Sequence, residues 1–151
     1  MNVYENLEKL GLTLSVPPAI GGIYVPVKQV GNLLYTSGQG PSVNGKPAYT
    51  GKLGQDLTIE QGQEAARITI LNTLSVLHAY LGDLNKIKNV VKLLGFVASA
   101  PNFGDQPKVI NGASQLLIDI FEENGAHARS AIGTNELPGN IPVEIEAIFE
   151  I

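Results

Sequence analysis

Thr58 to Gly82 is the stretch that most restricts the fold. Thr58, with Gln61 three residues on, forms a capping box that starts a helix at Ile59, and Gly82 supplies the stop after Leu81. Between them Ile59, Ala66, Ile70, Leu74, Leu77 and Leu81 fall on one apolar stripe. A helix of this length with one apolar side needs a broad apolar surface to cover it, and the end of the chain offers one. Val143, Ile145, Ala147, Phe149 and Ile151 alternate with Glu144, Glu146, Ile148 and Glu150, the period of a strand with one buried face.

The rest of the chain fills in around these two elements. Val3, Leu7 and Leu10 at helical spacing, then Gly11, predict a short N-terminal helix, and Leu12 to Gly22 reads as an irregular arm. Ile23 to Lys28 and Leu33 to Gly38 read as strands around a turn at Val30-Gly31-Asn32, and Ser42 to Gly54 is rich in turn formers with room for a short strand. Asn89 to Ser99 is nearly all apolar, which predicts a strand buried on both faces. A second helix starts near Pro107 and ends at Gly125, with Leu116, Leu117, Ile120 and Phe121 on its apolar face. A further strand runs near Ala128 to Gly133. Strands, helix, strand, helix and strands in this order predict an α+β sandwich: a mixed sheet with two helices packed on one face. The opposite face of the sheet mixes carboxylates with apolar groups, so it is expected to be partly covered by another subunit.

At 151 residues the chain reads as one domain, with residues 1–18 as its N-terminal helix and arm. Its net charge of −4, from eight lysines, two arginines and 14 acidic residues, leaves no basic run, and no nucleic-acid partner is expected. There is no cysteine, which removes disulfides, thiolate catalysis and thiolate metal sites. The start, Met1 to Lys9, lacks the pattern of a secretory signal. The uncharged stretch Leu10 to Val27 is broken by Pro17, Pro18, Pro26 and Gly21-Gly22, so no membrane partner is expected and the reading is cytoplasmic. Two separated histidines, His78 and His127, with no His-x-x-x-His spacing, argue against a metal. Gly38-Gln39-Gly40 lacks the third glycine of a dinucleotide loop, and no cofactor is expected.

The chemistry concentrates near the C-terminus. Arg129 is one of only two arginines, the other being Arg67 in the long helix. A lone guanidinium beside a strand carboxylate, Glu144, suits a small anionic substrate that needs both a clamp and a proton-transfer group. The structural alternatives are an ion pair for Arg129 and a solvated or interface position for Glu144. Glu144 should be raised in pKa by burial and lowered by Arg129. Glu146 lies one pleat along, about 7 Å away by strand rise, and is taken as support. Ser37 has no accompanying base motif and no Gly-x-Ser-x-Gly, so ligand contact suits it better than nucleophilic attack. His127 would share a face with Arg129 if the strand begins that early, where it could shuttle a proton; His78, within the long helix, is expected to be packed or solvent-facing.

Several segments together resemble the RidA family, also called the YjgF family. They are Ala19-Ile20-Gly21 followed by Tyr24, Gly31-Asn32, Thr36-Ser37-Gly38-Gln39, Gly82-Asp83-Leu84, Ala128-Arg129-Ser130, Leu137-Pro138 and Val143-Glu144-Ile145-Glu146-Ala147. A longer-chain branch is similar in the N-terminal helix, in Lys108 to Ser114 and in Gly125 to Ala131. The resemblance implies a chorismate-mutase-like fold and a homotrimer with clefts between subunits. It implies hydrolysis of reactive imines, formed from enamines such as 2-aminoacrylate, to 2-keto acids and ammonia. It gives Arg129 the substrate carboxylate, Glu144 the attacking water, and Tyr24 a place in the cleft, although one extra residue precedes Tyr24. Ser37, Gly38, Asn111 and the backbone N–H of Ala131, where many members have cysteine, become ligand contacts. Two other readings of the same scaffold are a carboxylate-binding protein without turnover and an endoribonuclease, the latter opposed by the acidic charge.

Overall fold

The computed structural model describes Met1–Ile151. The N-terminal helix α1 (Val3–Lys9) is capped by Asn2, whose side chain accepts from the Tyr4 and Glu5 amides. After the arm come strands β1 (Val27–Val30) and β2 (Leu33–Thr36), then two short strands, β3 (Ser42–Val43) and β4 (Lys46–Pro47), that form their own hairpin. Helix α2 spans Ile59–Leu81 with the Thr58–Gln61 capping box and a left-handed Gly82 at its end, as the sequence predicts. Strand β5 (Asn89–Ala98), helix α3 (Gln106–Phe121), β6 (Ala128–Thr134) and β7 (Val143–Glu150) complete the chain. A 3-10 turn, Glu122–Gly125, finishes the second helix, so the α-helix proper stops four residues before the expected end.

The main sheet has the order β1-β2-β7-β5-β6, with β5 and β6 parallel and the other pairs antiparallel. Helices α2 and α3 cover one face, and Ile70, Leu74, Leu77, Leu116, Leu117 and Phe121 pack there against Leu34, Leu93, Ile145 and Phe149. The alternation along β7 holds, with Val143, Ile145, Ala147 and Phe149 buried. Two close approaches set the spacing of these layers. A side-chain carbon at Gly112 would collide with the Gln63 backbone where α3 meets α2, and one at Gly95 would come within 2.6 Å of Ile110 where α3 meets β5. The third helix, α1, is tied to the ends of the other two, since Asn6 donates to the Ile120 carbonyl at 2.9 Å and Tyr4 Oη accepts from the Leu84 amide at 2.8 Å.

One expectation fails. β5 is not buried on both faces: Leu93 and Val97 face the helices, while Lys92 is exposed and Leu94 and Phe96 are half-buried on the other side. Both helices lie on a single face, so the second face of the sheet stays open within one protomer. That open face carries Tyr35 and Ile132, 42% and 46% exposed, and a shallow hollow of about 470 Å³ lined by Tyr35, Lys92, Leu94, Ser130, Glu146 and Ile148 among others. The first strand is also shorter than expected, because the chain from Ile23 to Pro26 turns rather than pairs. No helix is long and apolar enough to cross a membrane.

Candidate functional site

The predicted site residues fall into two groups on opposite faces of the sheet. The first group surrounds Arg129. In the parallel ladder Arg129 is opposite Leu93 and Ala131 opposite Gly95, so both share the face that the helices cover. β6 is the edge strand, which lets the Arg129 side chain reach over the rim to α3. There its Nη1 donates to Ser114 Oγ and its Nη2 to the Pro107 carbonyl, both at 3.0 Å. The only ion pairs in the chain are Arg67–Glu64 and Lys108–Asp105, so Arg129 has no carboxylate partner. The structural ion pair is therefore ruled out within the protomer. Asn111 is exposed and lies between Pro107 and Ser114 on the same side of α3, at positions i, i+4 and i+7. Ala131 is half-buried and packs against the core.

His127 joins this group although it precedes the strand. Its Nε2 lies 2.9 Å from Ser114 Oγ, and its Nδ1 lies 2.6 Å from the Gly125 carbonyl oxygen. Burial pushes its pKa below the usual histidine range; the Gly125 hydrogen bond opposes that, and the Arg129 charge adds to it. His78, by contrast, is packed against Tyr4, whose hydroxyl is 3.0 Å from its Nδ1.

The second group surrounds Glu144, on the open face opposite Phe96. Between the pairs Tyr35–Ile148 and Gln39–Ile145 the first chain advances four residues and the second three, so a bulge holds one extra residue at Ser37–Gly38. Thr36 bridges the gap in the ladder: its hydroxyl accepts from the Ala147 amide at 2.9 Å and donates to the Ala147 carbonyl at 3.3 Å. The bulge lays Gly38 against the Glu144 carboxylate, where a side-chain carbon would come within 2.8 Å of Oε2. Ser37 Oγ donates to the Val25 carbonyl at 2.7 Å, which ties the bulge to the segment carrying Tyr24. Tyr24 folds back so that its hydroxyl accepts from the Gly21 amide at 3.2 Å. Tyr24, Gly38, Gly40, Ile20 and Ile141 help line a cavity of about 210 Å³.

Burial raises the Glu144 pKa above the ordinary glutamate range, and the neighbouring Glu146 carboxylate raises it further. Arg129 contributes nothing, contrary to expectation, because it projects from the other face of the sheet. The two charged groups that the sequence places side by side are thus separated by the sheet itself. Tyr24, Ser37, Gly38 and Glu144 form one half of a candidate site; Arg129, Ala131 and Asn111 form the other. The sequence marks neither Ser114 nor Pro107 as a site residue: Pro107 reads only as a helix start, and Ser114 only as the end of the Lys108 to Ser114 motif. No three His, Asp or Glu side chains converge as a metal site would require.

Residues 5–146 match the model of the "YjgF/chorismate_mutase-like, putative endoribonuclease" family. The chain is 43% identical over 150 residues to protein TCP17 of Trypanosoma cruzi, covering 99% of this chain and 94% of that one. It is 32% identical over 131 residues to a 2-iminobutanoate/2-iminopropanoate deaminase of Dermatophagoides farinae, covering 86% and 87%. Among solved structures it is similar to Atu1372 from Agrobacterium tumefaciens, of unknown function, at 48% identity and a TM-score of 0.92 over 99% and 92% of the two chains. Escherichia coli TdcF with bound serine is more distant, at 25% identity and a TM-score of 0.63 over 92% and 95%.

Proposed function

The chain belongs to the RidA/YjgF family, and from that premise we propose that it hydrolyses reactive 2-imino acids, and the enamines that give rise to them, to 2-keto acids and ammonia. The observation that carries this reading is Arg129. A half-buried guanidinium with no ionic partner, held by two neutral oxygens, keeps three of its five N–H donors for a carboxylate. The deaminase relative acts on imino acids, and the serine seen on TdcF is likewise a small molecule with a carboxylate, which supports the same ligand class.

The two half-sites meet only if a second copy brings its open face to the Arg129 edge of the first. The exposed apolar residues of that face support such packing, and the reading takes the assembly as a homotrimer with its clefts between subunits. In the cleft Arg129 clamps the substrate carboxylate, and the Ala131 amide and Asn111 contact the ligand beside it. Glu144 from the other subunit takes a proton from water as the oxygen bonds to the imine carbon and the C=N electron pair moves to nitrogen. The proton then passes to nitrogen, giving a carbinolamine. Glu144 next moves the hydroxyl proton of that intermediate to the amine, and as the C–N bond breaks ammonia leaves and the carbonyl forms. Neither metal nor cofactor has a part in this sequence. A carboxyl with a raised pKa suits both directions of transfer near neutral pH. Tyr24 orients the water or the leaving ammonia, while Ser37 and Gly38 contact the ligand.

The test uses an amino-acid oxidase to generate imino acids and semicarbazide to trap those that survive. Wild type should lower the trapped product, and Arg129→Ala should cut that activity by about 100-fold, as expected for losing a charge-assisted clamp. No effect of wild type on any imino acid would sink the hydrolase and leave a carboxylate-binding protein. The ribonuclease reading has less support, since the net charge is −4 and the sequence holds no basic run.

A further inference from the structure

We infer that Ser114 and His127 are positioning residues that fix the direction of the Arg129 guanidinium; the inference rests on Arg129 being the carboxylate receptor. The argument follows the protons. The Gly125 carbonyl can only accept, so at 2.6 Å His127 Nδ1 carries the hydrogen. His127 Nε2 is then a bare acceptor in the neutral ring, and the Ser114 hydroxyl is the donor that meets it at 2.9 Å. With its one proton committed to His127, Ser114 Oγ turns lone pairs toward Arg129 and accepts from Nη1 at 3.0 Å. The chain of donors therefore runs one way, from Arg129 to Ser114 to His127 to Gly125.

Each end of this relay is anchored. Gly125 is buried, and a side-chain carbon there would strike the Leu117 carbonyl at the end of α3, so the accepting oxygen sits at a fixed point. At the other end the Pro107 carbonyl holds Nη2, and the two acceptors on α3 stop rotation of the guanidinium plane. Without the His127 acceptor the Ser114 hydroxyl is free to turn its proton toward Arg129, where it would repel the N–H. The depressed pKa of His127 keeps the ring in its accepting form at neutral pH. A catalytic Ser–His pair is the competing use of the same atoms. It is disfavoured because Ser114 Oγ already accepts from a cation, which draws electron density away from the oxygen.

Arginine-selective 15N labelling tests the relay without relying on turnover. The chain has two arginines, and Arg67→Lys assigns them. Wild type should show resolved Arg129 Nη–H signals from hindered rotation. Ser114→Ala and His127→Ala should average them, while Ser114→Thr and His127→Gln, which keep a hydroxyl and an acceptor, should retain them. Alanine at Ser114 favours the helix, so loss of folding is not expected to obscure the result. In the imine assay Ser114→Ala should raise KM about tenfold with a smaller change in kcat, and should add nothing in an Arg129→Ala background. Signals that stay resolved in both alanine variants would overturn the relay, as would a Ser114→Ala effect that persists undiminished without Arg129. Absent hydrolysis alongside resolved, relay-dependent signals would reject the hydrolase reading and leave the relay standing.

Discussion

The two half-sites are built on opposite principles. Around Arg129 the protein surrounds a permanent charge with neutral oxygens, so the charge is held still but left unneutralised. Around Glu144 it does the reverse: it withdraws water and adds a second carboxylate, so the charged form is less favourable than in a free glutamate. A clamp needs a constant charge; a proton carrier needs a charge that can change. The separation by the sheet follows from strand parity, because Arg129 shares a face with Leu93 and Glu144 shares the other with Phe96. No side-chain rotation within one protomer joins them.

The sharpest way to break this comparison is to put the two halves on different chains. Arg129→Ala and Glu144→Gln should each be nearly inactive alone. Co-expressed in equal amounts, they should recover activity at about a quarter of the interfaces, where an intact Arg129 from one chain meets an intact Glu144 from another. No recovery in assembled mixed oligomers would place both groups in one protomer's site and contradict the parity argument.

A smaller effect is expected at the bulge. Gly38→Ala sets a methyl against the Glu144 carboxylate and pushes it from its seat. Turnover should fall about tenfold while carboxylate affinity, which depends on the other half, stays nearly constant. Equal loss of affinity would mean that the halves are not independent.

The smallest effects lie in stability against pH, and they have opposite signs. Glu144, with its pKa raised on folding, binds more protons in the native state. Stability should therefore fall as pH rises from the ordinary glutamate range through the raised value, and Glu144→Gln should remove that slope. His127, with its pKa lowered, binds fewer protons in the native state. Its contribution is present above the ordinary histidine pKa and is lost as pH falls through the depressed value, and His127→Gln should flatten that limb. Denaturant midpoints across pH 4–8 would resolve the two limbs.

Much of the fold was legible because it rests on local chemistry. The capping box at Thr58, the stop at Gly82 and the alternation along Val143 to Ile151 each declare themselves within a few residues. The family resemblance was legible for the same reason, and it picked out Arg129 and Glu144. What was not legible depends on how strands meet. Ala128-Arg129-Ser130-Ala131-Ile132-Gly133 has no clear apolar alternation, so nothing in it says which face Arg129 takes. That is set by the parallel register with β5. The bulge at Ser37–Gly38 exists only in the count between two strands, and Ser114 gains significance only because a histidine 13 residues away folds back onto it. The prediction of a doubly buried β5 failed because a run of apolar residues does not say whether helices cover one face of the sheet or both.

The hydrogen at Gly112 has a consequence beyond packing. Where α3 leans on the Gln63 backbone no other residue fits, so the helix has a fixed origin along its length. Everything N-terminal to that point, Asn111 and the turn at Pro107 included, is carried on a rod whose seat does not move when its surface residues are exchanged. Pro107 and Ser114, the two residues that hold the Arg129 guanidinium, lie on either side of that origin, so their spacing is set by the helix and their position by its seat.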